Sequence, residues 1–207
     1  FCVFGLFLKI NVNDQHKKNR LTIVVIFAMA IIPFSIAWYL AGNPNGLKLG
    51  TNNGELIAPV VTTDLPDFMG YDQFSADNLK ELQGHWVMIN FVTDNQCSTA
   101  CLDGLYKTHQ ISLMMGKDIA RIRRVVVMPQ QPHEPVLSQI WQEDARLLKI
   151  KLSPSLLEKV QQVQAYQEAS LLIMDPLGNL MMRYAAGYDP YKVRNDLSKL
   201  LRISQIG

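Results

Sequence analysis

Cys97 and Cys101 stand four residues apart in a chain of 207 residues that holds one other cysteine, Cys2. A pair at this spacing can do several kinds of chemistry. If the turn between them is helical, their Cα atoms lie ~6 Å apart, within the range a disulfide bridges. Reduced, the pair can exchange disulfides with other proteins when one thiol is held as thiolate. Two soft thiolates can also clasp one Cu(I) ion. The remaining reading is an ordinary structural disulfide, and closing so short a loop removes little unfolded-state entropy, so such a bridge would stabilise only weakly.

The elements that must position the pair are legible around it. Residues 85–92, HWVMINFV, are dense in β-branched and aromatic residues with apolar side chains on both faces, as expected of a strand in the middle of a covered sheet. Thr93 to Gln96 is polar, and a helical pattern runs over residues 97–115 to Gly116. The cysteines therefore fall where a buried strand hands over to a helix. Reactive groups in α/β sheets collect at strand carboxyl ends, and the positive end of a helix dipole stabilises a thiolate. Cys97, nearer the helix start, is expected to be the more acidic thiol. Asp94 and Asp103 flank the pair, where they could tune it or serve as ordinary dipole partners.

Further elements follow in the pattern. Residues 56–68 contain Pro59 and Pro66 and read as an extended segment or an edge strand at best. A short helical turn is expected over residues 75–82, closed by Gly84. Residues 124–128, RVVVM, read as a second buried strand. Residues 135–152 read as a second helix, with Val136, Leu137, Ile140, Trp141, Leu147 and Leu148 available for its inner face. Ser153-Pro154 is a serine cap with proline at the first helical position, opening a short helix to about residue 164. Residues 170–174 and 180–184 form a hairpin around Asp175-Pro176-Leu177-Gly178-Asn179. Asp189-Pro190 repeats the cap and opens a final helix to about residue 201. The order is β, α, β, α, β, β, α, an α/β fold with a central mixed sheet flanked by helices.

Before this domain, residues 21–41 carry 21 consecutive uncharged residues, matching the ~20 needed to cross a bilayer. Pro33 within them implies a kink, which membrane helices tolerate. Trp38 and Tyr39 mark one interface. A cleaved signal peptide would carry a shorter apolar run and a small-residue cleavage site, and Ala41-Gly42-Asn43 fits one poorly. Lys9, Lys17, Lys18 and Arg20 precede the span against Asp14 alone, so the amino end is expected in the cytoplasm and the domain outside it. The expected division is residues 1–20 as a short cytoplasmic segment, 21–41 as the transmembrane helix, 42–53 as a Gly- and Asn-rich linker and 54–207 as the domain. Residues 1–11 open without methionine, and the natural start is expected near Val12. Cys2 is assigned no role.

Beyond Arg20 the chain has 16 basic and 17 acidic residues. That near-neutral balance leaves no footprint for nucleic acid, which needs Lys and Arg clustered along a face. Arg121, Arg123 and Arg124 read as a solvated strand edge or as a docking point for an acidic partner.

The strand WVMINFVTDNQ leading into CSTAC, the hairpin SLLIMDPLGNL, the tail MMRYAAGYDPYKVRNDLSKLL and the preceding anchor together resemble the Sco/SenC family. The resemblance covers about residues 54–201. It implies a thioredoxin-like domain on a membrane anchor, Cys97 and Cys101 as copper-binding and thiol-active residues, and a place in cytochrome c oxidase assembly. It implies the inner membrane and a periplasmic domain, with oxidase subunits or other exported dithiol or copper proteins as partners. The resemblance is that of a divergent member. Residues 166–170, YQEAS, lack the histidine with which the family completes its copper site, and Ser98 and Leu102 replace its prolines. Cu(I) held by the two cysteines is then expected to bind more weakly than with the histidine.

Of the other histidines, His16 precedes the span, His85 enters the first buried strand at its far end, and His109 lies two turns beyond Cys101. His133 follows the second buried strand and could approach the cysteines as a metal ligand, or simply be solvated. Three functions remain open: a Sco-like factor in oxidase and copper-site maturation, a thiol-disulfide oxidoreductase acting on exported proteins without stable metal, and a docking module with an inert disulfide.

Overall fold

The computed structural model describes residues 12–42, 52–93, 97–128, 144 and 146–204. The chain divides into two units, Phe1–Gly50 and Thr51–Gly207. In the first, helix α1 (Val12–Gly42) runs unbroken through Pro33. Its stretch Lys17–Leu40 is long and apolar enough to cross a membrane, and its large apolar side chains are exposed.

The second unit is built on a seven-stranded sheet in the order β1-β7-β6-β3-β4-β5-β2. The strands are β1 (Glu55–Thr62), β2 (Phe68–Gly70), β3 (Trp86–Phe91), β4 (Ile122–Met128), β5 (Leu147–Leu152), β6 (Leu171–Met174) and β7 (Asn179–Tyr184). β3, β4 and β5 are parallel, while β6 and β7 form the antiparallel hairpin read from the sequence. β3 is buried along its whole length, as a central strand must be. Helix α2 (Gln73–Asp77) follows β2, and a 3₁₀ turn over Leu79–Leu82 completes the short helical stretch expected there.

Helix α3 (Thr99–Met114) joins β3 to β4, α4 (Pro154–Gln162) joins β5 to β6, and α5 (Pro190–Ile203) follows β7. Ser98, Ser153 and Asp189 cap these helices, each side chain accepting a first-turn backbone N–H, worth about 1 kcal/mol apiece. One apolar cluster packs Val87, Ile89 and Phe91 of β3 against Leu156 and Val160 of α4. On the opposite face Met88 meets Ile111 of α3 and Val193 and Leu197 of α5.

Two expectations are corrected, and one strand was not read. Residues 147–152 are not the end of a helix but strand β5. In LLKIKL the side chains of Leu148, Ile150 and Leu152 belong to one face, and pairing with β4 on one side and β2 on the other outweighs the helical period. Residues 135–143 of that expected helix lie outside the described residues. β2, three residues long, carries no period to be read. The arginine cluster is not a solvated edge, because β4 lies inside the sheet. Arg121 donates to the carbonyls of Leu201 and Ser204 at 3.0 Å each, Arg123 pairs with Glu81, and Arg124 is buried against Asp144.

Asp196 of α5 fastens the start of the domain. Its carboxylate, 2% exposed, accepts from the Asn53 and Gly54 backbone N–H groups at 2.6 and 3.0 Å and from Tyr184 Oη at 3.0 Å. Burial, then Asp196, pushes the Tyr184 phenol well above its ordinary pKa. A Cβ at residue 54 would fall 2.5 Å from the Tyr184 ring, so glycine alone fits this approach.

Asp196→Ala is expected to lower the unfolding free energy by about 3 kcal/mol in chemical denaturation, since several charge-assisted bonds go at once. A second expectation concerns acid. Burial raises the Asp67 carboxyl, but hydrogen bonds from Lys159, Ser155 and the Asp64 N–H outweigh it, leaving the pKa below the ordinary 3.8. Asp72 is lowered in the same way by Lys149 and Ser75. Depressed carboxylates stabilise the fold above that ordinary value, and the contribution is lost as pH falls below it. The Asp67→Asn, Asp72→Asn double variant should be less stable at neutral pH and lose less stability on acidification.

Candidate functional site at the Cys97–Cys101 pair

At the carboxyl end of β3, Val92 N–H still bonds to Val127 O at 2.9 Å. Cys97 stands just before the cap, so α3 begins at Thr99 and not at Cys97 as the pattern suggested. Ser98 Oγ accepts from Cys101 N–H at 3.3 Å, and Ser98 O accepts from Leu102 N–H at 2.9 Å. This cap brings the cysteine Cα atoms to 5.3 Å, and the two sulfurs form a disulfide.

The disulfide is covered. Cys97 is 6% and Cys101 3% exposed, in one cluster with Val92, Leu105, Val126, Met128 and Leu147. The oxidised pair lies within the apolar cluster, with Cys97 the less buried partner. No acidic residue occupies the first turn of α3, so its amino-end dipole is free to act on a thiolate. Asp103 lies further along and pairs with Lys107 at 2.7 Å, the ordinary i,i+4 arrangement. Asp94 and His133 lie outside the described residues.

Beneath the dithiol, α3 is tied to the sheet by buried polar contacts. Thr108 Oγ1 donates to Asn90 Oδ1 at 2.9 Å, Arg124 Nη2 donates to Leu105 O at 3.3 Å, and Tyr188 Oη donates to Gly104 O at 3.1 Å. Burial raises the Tyr188 pKa to about 12, opposed by the Asn90 amide and Arg124 and aided by Asp103. Burial lowers the Arg124 pKa against the opposing pull of Asp144. None of these residues was singled out as part of the site from sequence. A lone asparagine in an otherwise apolar strand was the available signal for Asn90.

The segment where the resemblance expects histidine does sit against this helix. Ala169, buried with φ 56°, lies so close that a Cβ on Gly104 would be 3.7 Å from Ala169 Cα. Tyr166 is engaged edge-on with Phe91, and Ser170 Oγ donates to Ala165 O at 2.7 Å. His85 bonds at the entry of β3, with Nδ1 3.2 Å from Gln83 O, and His109 Nδ1 lies 3.2 Å from Asp144 Oδ2. Among the described residues, no three His, Cys, Asp or Glu side chains are grouped to hold a metal.

A protein-family model described as the transmembrane-like, thioredoxin-like, C-terminal domain matches residues 86–204, more than half of the chain. The chain belongs to this family. No curated protein matches it. Solved structures similar to it include ScoI of Bradyrhizobium japonicum with copper bound, at 18% identity over 58% of this chain and 87% of that one, TM-score 0.44. A SCO1/SenC family lipoprotein from Bacillus anthracis is 16% identical over 70% of this chain and 99% of that one, TM-score 0.48. The thioredoxin domain of a Bacteroides vulgatus thiol-disulfide oxidoreductase is 16% identical over 73% and 99%, TM-score 0.42. The fold is thioredoxin-like: a mixed sheet flanked by helices, with the cysteine pair at the start of the first long helix after β3.

In the reduced full-length chain, Cys101→Ser should retain fast alkylation near neutral pH at Cys97, whereas Cys97→Ser should lose it. Equal alkylation rates in the two variants would contradict the expectation that the cysteine before the helix is the reactive one.

Proposed function

We propose that this is a single-pass, membrane-anchored Sco-like protein whose Cys97–Cys101 pair alternates between disulfide and dithiol in the maturation of an exported copper site, that of cytochrome c oxidase. The observation that carries the reading is a disulfide at the amino end of α3, just past the carboxyl end of a fully buried strand. Residues 21–41 are the anchor, 42–53 the linker and 54–207 the working domain. The basic residues before the span support a cytoplasmic amino end and a periplasmic domain.

The residues support a balanced exchange. A thiolate of a client dithiol attacks Cys97 Sγ, on the less buried residue, and Cys101, in the first turn of α3, leaves as a thiolate. The second client thiol, as thiolate, attacks its own partner sulfur in the mixed disulfide and releases Cys97. The client loses two electrons and two protons and gains a disulfide, and Cys97 and Cys101 become thiols. The reverse sequence reduces a client disulfide. Copper is cargo in this reading: two soft thiolates suit Cu(I), and the oxidised pair offers none.

A second reading, an oxidoreductase acting on exported proteins without stable metal, draws support from the same disulfide and from the absence of histidine in residues 166–170. An anaerobic Cu(I) titration of the full chain in detergent micelles against a competing chelator separates the two. A single Cu(I) should be held by the reduced chain, none by the oxidised chain, and far less by Cys97→Ser. If the reduced chain leaves all Cu(I) with the competitor while still exchanging disulfides, the oxidoreductase reading replaces the first. Topology is checked separately. A membrane-impermeant thiol label should reach the reduced pair in intact cells, and labelling that needs lysis would reverse the orientation.

A further inference from the structure

The soft donors around the dithiol include a third sulfur. β4 ends at Met128, and its parallel pairing with β3 brings that end beside Val92, at the carboxyl end of β3. Met128 is 1% exposed and belongs to the same buried cluster as Cys97 and Cys101. The other buried members, Val92, Leu105, Val126 and Leu147, contribute only hydrocarbon. A methionine side chain has three rotatable bonds and a polarizable sulfur, so its Sδ can turn toward a neighbour without displacing the strand. Thioether and thiolate together form a donor set that favours Cu(I), whereas Cu(II) prefers nitrogen and oxygen donors.

We infer that Met128 Sδ is the third copper donor of this chain, with Cys97 and Cys101, taking from another strand the role that the resembled family gives to histidine. The inference rests on the copper reading above. Reduction of the disulfide by an external dithiol supplies two electrons and two protons. Binding of Cu(I) then releases two thiol protons to solvent, without change of oxidation state at the metal. The bound unit carries one net negative charge, in an apolar cluster at the positive end of α3. With no imidazole among these donors, the site is selective for Cu(I) over Cu(II).

The test uses the full-length chain in detergent micelles, reduced and freed of reductant under nitrogen, with Cu(I) alone as the probe. X-ray absorption at the copper edge should report three sulfur neighbours in the natural chain and two in Met128→Leu, a substitution that nearly conserves volume. Met128→Leu should weaken Cu(I) binding by at least about tenfold, as loss of a direct ligand should cost no less than loss of a residue supporting one. Met128→His should restore affinity with a nitrogen neighbour. Equal affinity and equal sulfur count in Met128→Leu would overturn the assignment while leaving the copper reading standing. So would a nitrogen neighbour in the natural chain that disappears in His133→Ala. A natural chain that binds no Cu(I) yet exchanges disulfides would overturn the copper reading, and this inference with it.

Discussion

A helix presents its amino end at the carboxyl edge of a sheet only while something holds it in one position on the strands beneath. Here the holding is polar and buried. Thr108 bonds to Asn90 of β3, Leu105 O accepts from Arg124 of β4, and Gly104 O accepts from Tyr188 after β7. Sliding α3 by one residue would strip partners from several buried groups at once, each costing about 1–3 kcal/mol of desolvation. The apolar contacts of Ile111 and Met115 give adhesion without fixing register. The polar contacts supply it, and the place of Cys101 one turn from Gly104 follows.

That fixed helix sets the chemical character of the pair. The sulfurs lie in an apolar cluster, a setting that disfavours a bare thiolate. The free amino-end dipole, with no first-turn carboxylate to offset it, favours one. The disulfide removes the conflict, and so would a soft cation that neutralises thiolates in place. Both readings of function are thus two ways of satisfying one electrostatic condition.

Much of the scaffold was legible because it depends on local rules. The apolar run at residues 85–92 announced a covered strand, Ser153-Pro154 and Asp189-Pro190 announced helix starts, and the Pro-Leu-Gly-Asn turn announced the β6–β7 hairpin. The failures share a cause. β2 is too short to show a period, and LLKIKL of β5 became a strand through hydrogen bonds to β4 and β2, residues distant in the chain. Arg124 looked like a surface charge, because nothing adjacent to it reveals that Asp144 and Leu105 O would surround it.

What the sequence by itself determined were features set by covalent spacing and by solvation along a short stretch. They are an apolar helix of membrane length, cysteines close enough to bridge, capped helices, and the lack of histidine in residues 166–170. Only the tertiary structure decided how deeply the cysteines are covered, that Ala169 packs against the dithiol helix, and that Met128 shares a cluster with the two sulfurs. Those depend on strand register and on helices seated across the sheet, and register is a property of pairs of segments, which no single stretch of sequence encodes.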